Sequence, residues 1–130
     1  MAYSVSRACD LSVSSGEIFL ISELSYGCAQ GPQEGSSVKL LGRLEEHSPT
    51  TFQARLALDG HSIEINTRLL GGVVLREGYL YQFIGELESA KQDALRLRAR
   101  VACDAEGMDV NLWKEALELR RNFLASLPRT

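Results

Sequence analysis

Residue types that build reactive sites are scarce in this sequence of 130 residues, which has only three cysteines, two histidines and one tryptophan. Cys9, Cys28 and Cys103 are odd in number and far apart, without the CxxC spacing of a zinc site, so no metal site is predicted. The same pattern indicates reduced thiols in the nucleus or cytosol, and there is no leader of charged and then apolar residues. No apolar run approaches the roughly 20 residues of a membrane span, so no membrane contact is predicted.

Signatures of catalysis are missing as well. The sequence contains no GxSxG, GxxxxGK[ST] or HExxH motif, and no cysteine with a histidine partner in local sequence. Glu86 and Glu88 are expected on the solvent side of a strand, where carboxylates are usually only hydrated. We therefore predict a protein that is not an enzyme and that has no cofactor.

Five segments between Ser37 and Cys103 alternate apolar and polar residues with the period of two that β-strands require. Asp59-Gly60 predicts a type I′ hairpin, because both central residues of that turn need a positive φ. Gly42 and Gly85 lie inside strands, where glycine marks the sharp bends of a small closed barrel. The residues expected to face inward are Val38, Leu40, Gly42, Leu44, Phe52, Ala54, Leu56, Leu58, Ile63, Ile65, Tyr79, Tyr81, Phe83, Gly85, Leu87, Leu95, Leu97, Ala99 and Val101.

These strands and a final helix predict an all-β domain with a terminal helix, namely a five-stranded OB-fold barrel plus a C-terminal amphipathic α-helix. Residues 1–15 are rich in serine and are expected to form a flexible N-terminal arm. Residues 16–127 are expected to form a single domain, with the helix at about 109–127. Ile18 to Ile21 is expected to pair as an extra strand, and Leu69-Leu70 to form one helical turn.

The predicted helix is apolar over a wider arc than its own core requires. Its apolar residues fill about 180° of a helical wheel, whereas a stripe of about 100° suffices for one buried face. The excess indicates two buried surfaces, one on the barrel and one on a partner. Arg120 lies within the arc, where a core inside the chain would tolerate it poorly, which favours a partner surface. The alternative is that the stem of Arg120 covers apolar surface while its charge reaches water. The arc consists of Val110, Leu112, Trp113, Ala116, Leu117, Leu119, Phe123, Leu124 and Leu127.

A row of arginines in the fifth predicted strand is the one candidate nucleic-acid feature. Side chains alternate along a strand, so Arg96, Arg98 and Arg100 share one face, and Arg43 and Arg55 could extend the row along a phosphate backbone. The net charge of −3 argues against binding by bulk electrostatics. The alternative is a hydrated outer face whose arginines form salt bridges with Glu45, Glu64 or Glu86.

Three short motifs, taken together, resemble a known family. They are GRL at Gly42 to Leu44, LYxFxGEL at Leu80 to Leu87, and the segment from Ala99-Arg100-Val101 to Glu106-Gly107-Met108 that leads into the helix. Their order and spacing, with the total length, resemble the Ten subunit of the CST telomere complex over roughly Ser37 to Phe123. The glycine-rich loop from Tyr26 to Ser36 and the acidic net charge depart from that family.

The resemblance implies a nuclear adaptor at telomeres that heterodimerises with an Stn-type OB-fold protein. That pair would join a larger Cdc13/Ctc1-type subunit and bind single-stranded telomeric DNA mainly through the complex. The complex would cap chromosome ends and help DNA polymerase α–primase to fill in the complementary strand. The resemblance also implies a partner surface, in which Arg120 would pair with a carboxylate of the Stn-type subunit. Its residues would be Lys39, Met108, Trp113, Ala116, Leu117, Arg120, Phe123 and Leu124.

Three alternatives stay open at this point. The small subunit of a replication protein A-type complex would have the same barrel, helix and mode of pairing. A free-standing OB module would bind single-stranded DNA or RNA by itself, in a manner sensitive to salt. A homodimer would use the same helix if there were no other partner.

Overall fold

The computed structural model describes residues 17–24, 32, 34–90 and 94–127. The predicted arm at residues 1–15 and most of the predicted loop from Tyr26 to Ser36 lie outside this part of the chain. The elements are β1 (Glu17–Phe19), β2 (Ser37–Ser48), β3 (Gln53–Leu58), β4 (His61–Asn66), β5 (Leu80–Ser89), β6 (Leu95–Asp104) and α1 (Val110–Ser126), with 3-10 turns at Ile21–Glu23 and Arg68–Leu70.

The five long strands close into a barrel. Neighbouring strands follow the order β2-β3-β4-β6-β5, and β5 pairs with β2 to complete the circle. All of these pairs are antiparallel except β4 with β6, which is parallel. This arrangement, followed by one helix, is the predicted OB-fold barrel with a C-terminal helix. The short strand β1 adds in parallel to β2, as expected for an extra strand.

The predicted turn and bends are present. Asp59 and Gly60 both have positive φ, 54° and 81°, as a type I′ hairpin requires. At Gly42 a Cβ atom would lie 2.8 Å from the carbonyl oxygen of Ala57. At Gly85 it would overlap the backbone of Arg98. Both glycines are therefore needed where neighbouring strands approach closely.

The barrel interior follows the predicted alternation except near two residues. Val101 faces outward and is half-buried, while Ala102 is fully buried in the core. The cause is a bulge: Gly85 pairs with Ala99 but Ile84 pairs with Val101, so Arg100 is the extra residue and the facing of the strand reverses after it. The second residue is Phe52, which lies before β3, in the β2–β3 turn, with a φ of 58°.

Cys103 differs from the sequence-based expectation of reduced thiols. Its side chain is buried and disulfide-bonded. The other two cysteines lie in the part of the chain that the structure does not describe.

Candidate partner-binding interface

Helix α1 begins where the sequence predicts and is anchored at its first turn. The side chain of Asp109 accepts a hydrogen bond from the backbone N–H of Leu112 at 3.1 Å, which satisfies one of the free donors at the helix start. The helix then runs to Ser126, close to the predicted range of about 109–127.

One face of α1 is turned toward the rest of the chain. Its less exposed residues recur at helical spacing, and Leu117 is buried, with 6% of its surface exposed. On the same face, Lys114 Nζ lies 2.8 Å from Asp59 Oδ2 in the β3–β4 turn. The residues of this barrel-facing side are Val110, Trp113, Lys114, Leu117 and Arg121.

Arg121 makes the most extensive polar contacts of the helix. Its Nη1 and Nη2 donate to the two carboxylate oxygens of Glu23 at 2.8 and 2.9 Å, and Nη2 also donates to the carbonyl of Ile18 at 2.9 Å. Its guanidinium lies 5.8 Å from the centre of the Phe19 ring. The hydrogen bond from Arg121 lowers the pKa of Glu23 against the opposing effect of partial burial, and the same bond raises the pKa of Arg121.

The opposite side of α1 is apolar but exposed. Leu112, Leu119 and Phe123 are each 62 to 69% exposed, and Leu127, the cap residue directly after α1, is 45% exposed. With Ala116, which is also exposed, they form a continuous stripe along the helix. We call these five residues the outer stripe. A row of large apolar side chains in water marks an interaction surface.

The structure separates the predicted partner residues into two groups. Ala116 and Phe123 are exposed in the outer stripe, and the exposed Arg120 borders it. Leu124 is 50% exposed although it lies two turns after Leu117, on the barrel-facing side. Leu117 is covered within the chain, which leaves almost none of its surface for a partner. Trp113 is half-buried on the barrel-facing side.

The remaining two predicted partner residues lie off the helix. Met108 precedes α1 and is 41% exposed. Lys39 is half-buried on β2, where it pairs with Ile18, the residue whose carbonyl binds Arg121.

Three residues of the outer stripe, Leu112, Leu119 and Leu127, were absent from the partner surface that the resemblance implied. The signal for them was present in the sequence, because all three lie in the wide apolar arc of the helix. The arc alone does not say which of its edges faces the barrel.

The arginine row forms ion pairs with carboxylates, which was the alternative considered above. Arg96 Nε lies 2.7 Å from Glu88 Oε2, and Arg96 also reaches Glu64 at 3.4 Å. Partial burial would lower the pKa of Arg96, but these hydrogen bonds outweigh it and the pKa is raised. The other pairs join Arg98 and Arg100 to Glu86, at 3.6 and 2.9 Å, and Arg43 to Glu106 at 3.3 Å.

Arg55 is the exception among the five candidate arginines, since no carboxylate of the described residues lies within ion-pair distance of it. It borders a depression of about 520 Å³ between β3, β4 and the β5–β6 connection. None of the described residues lining this depression is aromatic, so it offers no platform on which bases could stack.

The described residues lack two further features. Within them, no group of three or more His, Cys, Asp or Glu side chains could hold a metal ion. No helix among them is both long enough and apolar enough to cross a membrane.

The structural features of this chain define a small OB-fold protein in which a closed barrel is followed by a terminal helix. One side of the helix is held to the barrel, and its other side is apolar and exposed, as in a surface for association. A family described as a telomere-capping CST complex subunit matches residues 12–127, and the chain belongs to this family. The resemblance found in the sequence is thereby confirmed.

Two curated relatives show the extent of the similarity. The CST complex subunit TEN1 of Arabidopsis thaliana is 37% identical over 94 residues, which cover 71% of this chain and 73% of the relative. The CST complex subunit TEN1 of Homo sapiens is 31% identical over 112 residues, covering 83% of this chain and 89% of the relative.

Two solved structures share the fold. The telomere capping protein Ten1 from Saccharomyces pombe superposes with a TM-score of 0.65 at 14% identity, covering 83% of this chain and 99% of that one. A chain of the S. pombe Stn1–Ten1 complex gives a TM-score of 0.64 at 13% identity, covering 85% of this chain and 95% of that one.

Proposed function

We propose that this chain is a non-catalytic OB-fold subunit that heterodimerises through helix α1 with an Stn-type OB-fold protein. The outer stripe carries the proposal, because a helix whose opposite side is already held to the barrel has no internal use for Leu112, Leu119 and Phe123. The S. pombe relative was crystallised in a complex with Stn1, which supports a partner of the same type for this chain.

Arg120 lies at the border of the outer stripe and is exposed. Among the described residues no carboxylate lies within ion-pair distance of it. We therefore retain the proposal that Arg120 pairs with a carboxylate on the Stn-type subunit. A charge at the rim of an apolar contact fixes orientation more than it adds affinity.

Within the assembly, the heterodimer would join a larger Cdc13/Ctc1-type subunit in the nucleus, at telomeres. Single-stranded telomeric DNA would be bound mainly through the assembled complex, because four of the five candidate arginines on this barrel already face carboxylates. The complex would cap chromosome ends and support fill-in of the complementary strand by DNA polymerase α–primase. The telomere-capping description of the family supports this role.

Co-expression with an Stn-type OB-fold protein tests the pairing. Light scattering of the purified material should give an equimolar complex. Phe123→Glu should weaken it by about 30-fold or more, because it places a charge in the centre of an apolar contact.

Asn122→Glu is the matched control, because it adds the same charge one residue away, on the polar side of α1. It should leave the complex intact. A chain that stays monomeric beside that partner, or that loses binding equally in both variants, would contradict the proposal.

A further inference from the structure

Few contacts hold α1 to the barrel, which makes each of them important for the direction in which the helix faces. Leu117 is the only buried residue of α1. On either side of it, Lys114 reaches Asp59 and Arg121 reaches Glu23. Two attachment points two helical turns apart set both the position and the rotation of a helix.

The two attachments differ in quality. Lys114 meets Asp59 through a single contact, and the Asp59 side chain is 57% exposed. Arg121 and Glu23 meet through two parallel hydrogen bonds, a geometry that fixes direction as well as distance. Glu23 is itself held in place, because its Oε1 accepts a hydrogen bond from the backbone N–H of Leu20 at 2.8 Å.

The contact also joins segments that are distant in the sequence. Glu23 closes the 3-10 turn that follows β1, and β1 is paired with β2 of the barrel. A helix bound to this turn therefore has its position fixed relative to the barrel. If the helix rotated by one residue, about 100°, the guanidinium would leave Glu23 and the outer stripe would no longer point away from the barrel.

We propose that Arg121 and Glu23 form the positioning contact that holds α1 in the orientation exposing the outer stripe. Neither residue is required to touch the partner. The contact acts by keeping the partner-binding surface formed in advance, and this consequence for affinity rests on the proposed function. Apparent affinity falls in proportion to the fraction of molecules whose helix is correctly placed.

The isolated full-length chain tests the positioning directly. Trp113 is the only tryptophan and lies on the barrel-facing side of α1, two turns before Arg121. Glu23→Gln should shift its fluorescence to longer wavelength, increase its quenching by acrylamide, and accelerate amide hydrogen exchange across α1. A contact with only a local role would leave Trp113 unchanged.

Two further variants sharpen this test. Glu118→Gln removes the same charge from the polar side of α1 and should match the unaltered chain. The exchange of both charges, Glu23→Arg with Arg121→Glu, should restore part of the protection of Trp113. Unchanged quenching and exchange in Glu23→Gln, or an equal change in Glu118→Gln, would overturn the proposal.

The second measurement is the Kd for the Stn-type protein, which we expect to rise about fivefold in Glu23→Gln and to recover partly in the charge exchange. An altered Trp113 signal with an unchanged Kd would overturn the link between positioning and affinity. If no form of the chain binds that protein while Glu23→Gln still alters Trp113, the pairing fails and the positioning contact stands.

Discussion

Leu117 and Leu119 are the same residue type, two positions apart in one helix, and they lie in opposite surroundings. Leu117 is 6% exposed and Leu119 is 69% exposed. Because two residues span about 200° of helical rotation, one side chain is turned to the barrel and the other to water. The comparison teaches that apolar character in a helix does not by itself identify a core, since here it serves two surfaces.

The largest effect is expected from truncating these two leucines in turn. Leu117→Ala should lower the free energy of unfolding by about 2 to 3 kcal/mol, because it removes buried methyl groups and leaves a space behind. Leu119→Ala should change it by less than about 0.5 kcal/mol, because that side chain is already hydrated. Urea unfolding followed by circular dichroism measures both, and equal losses would mean that the two faces are not distinct.

A smaller loss of stability is expected from a change at the start of the helix, and it should affect both faces of the helix together. Asp109→Ala removes the side chain that accepts from the backbone of Leu112 and should cost about 1 kcal/mol of stability. Asn111→Ala, at an exposed position in the first turn, is the control. Urea unfolding checks the stability, and a loss of partner binding in Asp109→Ala without any loss of stability would contradict an effect of the cap on the whole helix.

The smallest effect concerns the acid dependence of the barrel-facing side. The pKa of Glu23 is lowered by its hydrogen bond with Arg121, so the pair stabilises the fold above the ordinary carboxylate pKa. That contribution is lost as the pH falls through the lowered pKa. Both side chains are about one third exposed, at 37 and 34%, so the effect should stay below about 1 kcal/mol.

Unfolding of the unaltered chain and of Glu23→Gln at a series of pH values measures this contribution. The difference in the free energy of unfolding should be present at neutral pH and vanish in acid. A difference that persists below the lowered pKa would show that the substitution acts through something other than the charge of Glu23.

Much of the barrel could be predicted from residue alternation, because each strand has one face in a common interior. Asp59-Gly60 and Gly85 were also readable, since positive φ and close backbone approach leave few residue types to choose from. The outward turn of Val101 was not predictable, because it depends on a bulge at Arg100 that appears only when β6 pairs with β5.

The helix shows a similar limit. Its wide arc predicted two surfaces, yet the division between them depends on where Arg121 and Lys114 find carboxylates. Those carboxylates, Glu23 and Asp59, belong to segments far away in the sequence. Glu23 carries no local pattern that would single it out. The partner surface implied by the resemblance included Leu117, which the structure shows to be buried within the chain.

The separation of Glu23 and Arg121 by 98 positions has a consequence for the order of folding. A contact between such distant residues closes a very long loop, which is entropically costly until the intervening chain has become compact. The barrel strands, with β1 paired to β2, must therefore be in place before this contact can hold the helix. The surface for the partner would thus gain its orientation only after the barrel has folded.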